Sequence, residues 1–368
     1  MYIKNKYMNK KIVFFVFDPS PRIERRIEAF IDAGLDVDVY GYKYDVVNVD
    51  YCNSPKYTYN VLATIPHSVS YKERIKGLKD VRKVVRKYDK NKTLFYFFSL
   101  NVAAIAPFLC VKYVYEESDM LFDRFGKKIL RNAVITFNKY VIKRSAITVM
   151  TSEGFAQFYY GDKRPGNIEF VLNKVNARCR LLPVVEKKVF DVNHIKFGFA
   201  GNIRYQATLN LAAIIARLYP QNEFHFFGNT ESLTDEQKAV LTSYPNIFNH
   251  GIFKNPDDLP SIYATMDFCV CNYDISGINP RYAEPNKLYE ALFFDTPIIV
   301  SPETFIGKKV REQNVGFEID SYDEKLVKDV IDAIDEKKYE ELKNNIRGIP
   351  KDTLVADNTS LINRIKAL

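Results

Sequence analysis

Short apolar runs alternate with helix-length segments along most of this chain. Lys11 to Phe17, Leu35 to Tyr40, Thr93 to Phe98 and Lys112 to Glu116 are strand-length and rich in aromatic and β-branched residues. Arg22 to about Ala33 and Lys127 to Arg144 repeat their apolar residues at three- and four-residue spacing. This alternation predicts parallel sheets covered by helices on both faces, the α/β class. A second series begins at Ile195, with strands predicted at Lys196–Ala200, Glu223–Phe227, Ile247–Ile252, Met266–Cys271 and Ile298–Val300. At 368 residues the chain exceeds what one core usually serves, so two domains are expected. The pattern places them at 1–172 and 191–345, with an aperiodic linker at 173–190 and a final segment at 346–368.

The stretch Glu284-Pro285-Asn286-Lys287-Leu288-Tyr289-Glu290-Ala291-Leu292 carries the most chemistry. Pro285 suits a first helical turn, and Leu288, Ala291 and Leu292 give the helix one apolar face. Asp295-Thr296-Pro297 ends it, and Ile298-Ile299-Val300 reads as a buried parallel strand. The N-terminus of such a helix offers backbone N–H groups and partial positive charge to an anion. Lys287 adds a full charge there, and Glu290 sits one turn on, where a carboxylate can accept hydrogen bonds from a sugar diol. Together they suit a nucleoside diphosphate; a surface helix with a Lys/Glu pair explains the same residues.

The pattern Pro-x-Lys-Leu-Tyr-Glu-Ala-Leu…Asp-Thr-Pro-Ile-Ile resembles the donor motif of GT-B glycosyltransferases of the retaining, family-four or "group 1" type. That resemblance implies two Rossmann-like domains facing each other across a cleft, with the last helix returning to the first domain. It implies sugar transfer from a nucleotide diphosphate to an acceptor hydroxyl, with retention, in bacterial-type surface polysaccharide or glycan assembly. Glu290 matches the second Glu of the family's Glu-x7-Glu pattern, which holds the donor ribose. Tyr282 stands where the first Glu falls, and Glu284 lies two residues off register. Gly201, Asn202, Arg204, Gly228, Pro285, Asn286, Lys287 and Leu288 complete the expected donor site. Arg204, Lys287 and Glu284 are the expected catalytic groups, the two cations stabilising the leaving diphosphate. On this reading no metal or other cofactor is required. His67, His194, His225 and His250 show no ligand spacing.

In the first domain, ligands are expected beyond the carboxyl ends of the strands. Glu116-Glu117-Ser118-Asp119 ends one strand, and Arg22 opens the first helix after the loop Asp18–Pro21. The acidic cluster is therefore in the right kind of place for a ligand, and the resemblance makes Glu117, Ser118, Asp119 and Arg22 the expected acceptor-side residues. A solvated strand exit and an exposed helix face account for them equally. Ser118 occupies a position where many relatives carry His. Asp36-Val-Asp38 matches the Asp-x-Asp metal motif of the other large transferase fold, but at a strand entrance it reads as structural. Thr151 or Ser152 is expected to cap the helix that follows.

The net charge of +8 is unevenly spread. Between residues 72 and 92, ten Lys and Arg residues crowd one helical segment whose other side carries Ile75, Leu78, Val81, Val84 and Val85. A solvated helix face and attraction to an anionic membrane both explain this; no nucleic-acid recognition motif accompanies it. No run reaches transmembrane length, Met1–Lys11 lacks the apolar region of a secretory signal, and five Cys residues without metal spacing suit reduced thiols in the cytoplasm. Two other functions remain open: a nucleotide-sugar epimerase of the same fold, and a non-catalytic subunit of a glycan-assembly complex.

Overall fold

The computed structural model describes residues 11–17, 19–44, 54–65, 71–187 and 189–368. Met1–Lys10, Asp18, Cys52, His67 and Lys188 lie outside the described residues, as do the side chains of Lys72, Arg74, Ile75 and Lys76. The chain forms two compact units, one of Met1–Leu172 with Asp357–Leu368 and one of Asn173–Ala356.

The first unit contains β1 (Lys11–Val16), α1 (Pro21–Asp32), β2 (Asp36–Tyr44), β3 (Tyr59–Ile65), α2 (Tyr71–Val85), β4 (Thr93–Phe98), α3 (Leu100–Ala103), β5 (Tyr113–Glu117), α4 (Lys128–Arg144), β6 (Ile147–Met150), α5 (Glu153–Tyr160) and β7 (Ile168–Phe170). Among the described residues its strands form a parallel seven-stranded sheet in the order β3-β2-β1-β4-β5-β6-β7. Every residue of β4 is buried, as expected for a central parallel strand covered on both faces. Phe15 stacks on Phe97 with ring centroids 5.0 Å apart, tying β1 to β4. At the other edge of these strands Lys11 pairs with Asp36 and Asp38 at 2.9 and 2.8 Å, giving both carboxylates a structural partner.

The second unit contains β8 (Lys196–Ala200), α6 (Gln206–Leu218), β9 (Glu223–Phe227), α7 (Asp235–Val240), β10 (Ile247–Asn249), α8 (Leu259–Thr265), β11 (Phe268–Cys271), α9 (Ile278–Tyr282), α10 (Asn286–Phe293), β12 (Ile298–Val300), α11 (Phe305–Gln313), β13 (Gly316–Glu318), α12 (Glu324–Asp332) and α13 (Glu336–Arg347). Its sheet, again parallel, runs β10-β9-β8-β11-β12-β13 among the described residues. Strand order reverses between β8 and β11, so the loops after these two strands form the crevice where open α/β sheets bind ligands. The last helix, α14 (Thr359–Lys366), belongs to the first unit, where Leu361, Ile362 and Ile365 join the core beside Phe14, Ile27 and Tyr96.

Several local expectations need correction. The sequence pattern over Asn101–Leu109 suggests one helix, but α3 stops at Ala103 and Ala106–Phe108 is a separate 3-10 turn. Pro107 cannot donate to a continuing helix. The stretch 173–190 is not featureless: it bridges Val175 to Val355, forms a 3-10 turn at Ala177–Leu181, and belongs to the second unit. The loop Asn272–Ala283 holds α9. Pro285 is the N-cap of α10 rather than part of its first turn, with an extended ψ of 156°. Within the final segment 346–368 the helix starts only at Thr359, after a 3-10 turn at Lys351–Leu354.

Candidate active site

Three strands of the second unit end beside one another. β8 leads to Gly201, β9 to Gly228, and the segment after β10 to Gly251. The Gly201 N–H donates to Phe227 O at 2.8 Å, and the Gly228 N–H donates to Gly251 O at 2.6 Å. Gly228, with φ +145°, has no room for a side chain: a Cβ there would lie 1.8 Å from Gly201 O. Gly201 has φ +134°, and its missing Cβ leaves space that the Lys287 ammonium fills.

Lys287 is the second residue of α10 and is buried. Its Nζ lies 4.2 Å from the Phe199 ring centroid and donates to Tyr273 Oη at 3.3 Å. Among the described residues no carboxylate stands within ion-pair distance of it. A buried cation without a counter-charge is costly, so this corner of the molecule is complementary to an anion. Around it Tyr205 and Tyr273 stack at 4.1 Å. The exposed Arg204 lies 4.9 Å from the Tyr205 ring centroid and donates to its hydroxyl at 2.8 Å. Asn202 is exposed on the same loop, as is Asn286 at the first turn of α10. Pro285 is half-buried, and Leu288 packs in the core beneath.

A second helix start at the switch point is already occupied. The N–H groups of Gln206 and Ala207, the first residues of α6, donate to the Asp274 carboxylate at 3.0 Å each. Asp274 therefore supplies α6 with its anion, and α10 is the helix start that carries a cation. Neither Asp274 nor the Tyr205–Tyr273 stack was expected from sequence. Both lie in stretches read as loop, and aromatic residues in a loop carry no period.

The two carboxylates of the motif have different surroundings. Glu290 accepts from Tyr263 Oη at 3.0 Å and from Asn255 Nδ2 at 3.3 Å. Glu284 is buried, pairs with Lys309 at 2.8 Å and accepts from Tyr289 Oη. Lys309 and Tyr289 thus already compensate its charge.

In the first unit the acidic strand exit turns inward. Glu116 is buried with Arg26 at 3.3 Å and accepts from Tyr96 Oη. Arg26 also donates to Asn358 just before α14. Glu117 accepts from Asn138 Nδ2 and Tyr159 Oη, both at 2.6 Å. Burial pushes its carboxyl up to about 7, against the opposing pull of those donors. Glu117 thus lies inside the unit; Ser118 is half-buried and Asp119 exposed at the strand end. Arg22 is half-buried on α1. Ser152 caps α5, its side chain accepting the Gly154 N–H at 3.0 Å.

Residues 199–354 match the model of the glucosyltransferase 3-like C-terminal domain. The fold is similar to sucrose-phosphate synthase from Thermosynechococcus elongatus, with TM-score 0.70, 16% identity, and coverage of 97% of this chain and 98% of that one. It is also similar to Anabaena HepE in complex with UDP and glucose, with TM-score 0.68, 14% identity, and coverage of 98% and 100%. A glycosyltransferase from Rickettsia africae matches with TM-score 0.62, 12% identity, and coverage of 97% and 98%. The chain has the GT-B fold, and most of its second unit matches a glucosyltransferase-like domain. No curated protein sequence matches the chain. Among the described residues, no helix is long and apolar enough to cross a membrane.

Proposed function

We propose that this chain is a glycosyltransferase that binds a nucleoside diphosphate sugar at the second unit and transfers the sugar, with retention, to a hydroxyl of a growing glycan. One observation carries the reading: the buried ammonium of Lys287 stands at the start of α10 against Gly201 and Tyr273, with no carboxylate among the described residues to neutralise it. A diphosphate placed there gains the Lys287 charge and the α10 dipole together. As the bond from the sugar carbon to the diphosphate oxygen breaks, negative charge grows on that oxygen, and Lys287 and Arg204 stabilise it. Glu290, one turn further on, is the acceptor for the ribose hydroxyls. The UDP and glucose named with Anabaena HepE favour a UDP-linked donor. Gly201, Asn202, Gly228, Pro285, Asn286 and Leu288 shape the pocket; Glu284 acts by fixing α10 against Lys309.

On the same reading the first unit meets the acceptor near Ser118, Asp119 and Arg22. The glycan belongs to surface polysaccharide assembly, with a lipid-linked acceptor at the cytoplasmic face of a membrane. Lys79, Arg82, Lys83, Arg86 and Lys87 are exposed on α2 and the turn after it, while Val81, Val84 and Val85 face inward. Such a face attracts anionic lipid.

A thermal-shift screen of UDP-, GDP-, ADP- and dTDP-sugars, followed by analysis of the product's anomeric configuration, tests the proposal. Stabilisation by one nucleotide class and a retained configuration are expected. No stabilisation by any nucleoside diphosphate would sink it.

A further inference from the structure

α10 has two ends, and only its start belongs to the site above. At its other end the chain turns through Asp295 and Thr296 into the start of β12. There the segment 179–187, α8, the end of α10 and the C-terminal half of α13 line a half-open cavity of about 340 Å³. That volume suits a small organic ligand. Val184, Val185, Pro260, Phe293 and Phe294 make much of the lining apolar.

Lys187 and Lys343 both line this cavity, and the Lys343 charge raises the cost of charging Lys187. Among the described residues neither has a carboxylate within ion-pair distance. Lys187 donates to Thr296 Oγ1 and, at 3.4 Å, to Asp295 O. The nearby acids are engaged elsewhere: Asp295 pairs with Lys351, and Asp267 accepts the Lys196 N–H at 2.8 Å. Arg180 and Arg347 stand at the rim, paired on their outer sides with Asp352 and Glu340. Four basic side chains thus line a partly apolar cavity, and among the described residues two of them, Lys187 and Lys343, have no paired carboxylate.

We infer that this cavity is a second ligand site, distinct from the donor site, for a small molecule that joins a phosphate to a compact apolar or aromatic body. The phosphate bridges Lys187 and Lys343, with Arg347 at the rim, and the body rests on Phe293 and Val185. Two separated ammonium groups facing one space are better matched by a dianion than by a single carboxylate. A ligand there would touch the C-terminal end of the helix whose start holds Lys287.

The protonation of the site supports this. Burial, with the Lys343 charge beside it, pushes Lys187 down to about 7, against the attraction of Asp267 and Asp295 and of Cys269 on β11. Burial and Arg347 also lower Lys343, while Glu340, Asp295 and Asp267 oppose the shift. A phosphate dianion restores the Lys187 charge, so binding takes up a proton above pH 7. Phosphate monoesters themselves titrate near pH 6, so between pH 7 and 9 the ligand's charge is nearly constant and the change belongs to Lys187.

Calorimetry of phenyl phosphate and inorganic phosphate with the full chain, at pH 7.0 and 8.5, tests the inference. Phenyl phosphate is expected to bind once per chain, more tightly than inorganic phosphate, with affinity falling roughly tenfold from pH 7.0 to 8.5. Lys187→Met should weaken it at least tenfold, and the rim variant Arg347→Met, which leaves the chamber wall intact, at least threefold. Lys287→Met should leave it unchanged. The inference is overturned if no saturable binding is seen below roughly 10 mM, a limit set by the weakness of any specific contact at that level. It is equally overturned if binding survives Lys187→Met and Arg347→Met but is lost in Lys287→Met, which would assign the phosphate to the donor site. Inorganic phosphate binding as tightly as phenyl phosphate would remove the apolar-bodied ligand.

Discussion

A side chain at Gly201 would place its first carbon 2.8 Å from the Nζ of Lys287. The glycine and the lysine therefore compete for one volume, and the absence of the first lets the second reach the end of β8. Gly201→Ala should displace the ammonium and strain a backbone held at φ +134°. Strain of that kind costs about 1–3 kcal/mol. The expected result is a lower melting temperature together with at least a tenfold loss of UDP affinity by calorimetry. Lys287→Met should lose the affinity without the backbone penalty. Full UDP affinity in a folded Lys287→Met protein would refute the assignment of the diphosphate.

Glu290→Gln keeps the size of the side chain and removes its charge. A hydrogen bond to a charged group contributes about 1.5–3 kcal/mol, so donor affinity should fall roughly tenfold or more. The neighbouring carboxylate should behave differently. Glu284→Gln leaves Lys309 without its buried partner, and breaking a buried pair destabilises by about 3–5 kcal/mol. Its signature is a fall in denaturation midpoint, with nucleotide affinity changed less than in Glu290→Gln. A folded Glu290→Gln protein that binds UDP normally makes Glu290 an ordinary helix residue.

Glu117 gives the protein a pH dependence of known sign. Its carboxyl titrates at about 7 in the folded chain against 4.5 in the reference state, so folding favours its protonated form. The contribution to stability is fully present below pH 4.5 and is lost as pH rises through 7. The loss amounts to about 3 kcal/mol at most. Glu117→Gln mimics the protonated form and should raise the melting temperature at pH 8 but hardly at pH 4.5. Equal effects at the two pH values would mean that the carboxyl is ionised throughout.

The exposed cations of α2 can be tested directly. Co-sedimentation with vesicles containing anionic lipid should exceed that with neutral vesicles and should weaken as salt is added. Replacing Lys79, Arg82, Lys83, Arg86 and Lys87 by Gln should abolish the difference. Equal sedimentation with both vesicle types would reduce this face to a solvated helix surface.

The sequence made the sheets legible where local pattern and burial agree. β8 and β9 are short apolar runs bounded by Gly201 and Gly228, and their predicted limits coincide with the strands. Segments governed by distant contacts were less legible. Residues 173–190 look like a linker because nothing local repeats, yet the Val175–Val355 bridge and the Arg180–Asp352 pair fix them from far along the chain. Within the candidate site, the motif and the resemblance put Gly201 and Lys287 in the same expected donor site, but not in contact. Their contact, and the capture of the α6 start by Asp274, depend on strand order, which residue spacing does not encode.

The placement of α14 also sets a timetable for synthesis. The first unit begins its sheet at Lys11, yet its core is closed by Leu361, Ile362 and Ile365. Between Leu172 and Asp357 the ribosome must add the whole second unit. At about 5–20 residues per second that interval lasts roughly 10–40 s. Throughout it, the apolar face of β1 and α1 that α14 covers waits without its partner, whereas the second unit is one continuous stretch, Asn173–Ala356, and waits for no later segment. The nascent first unit is therefore the part of this chain most exposed to chaperones, and truncation before Thr359 should harm its solubility more than that of the second unit.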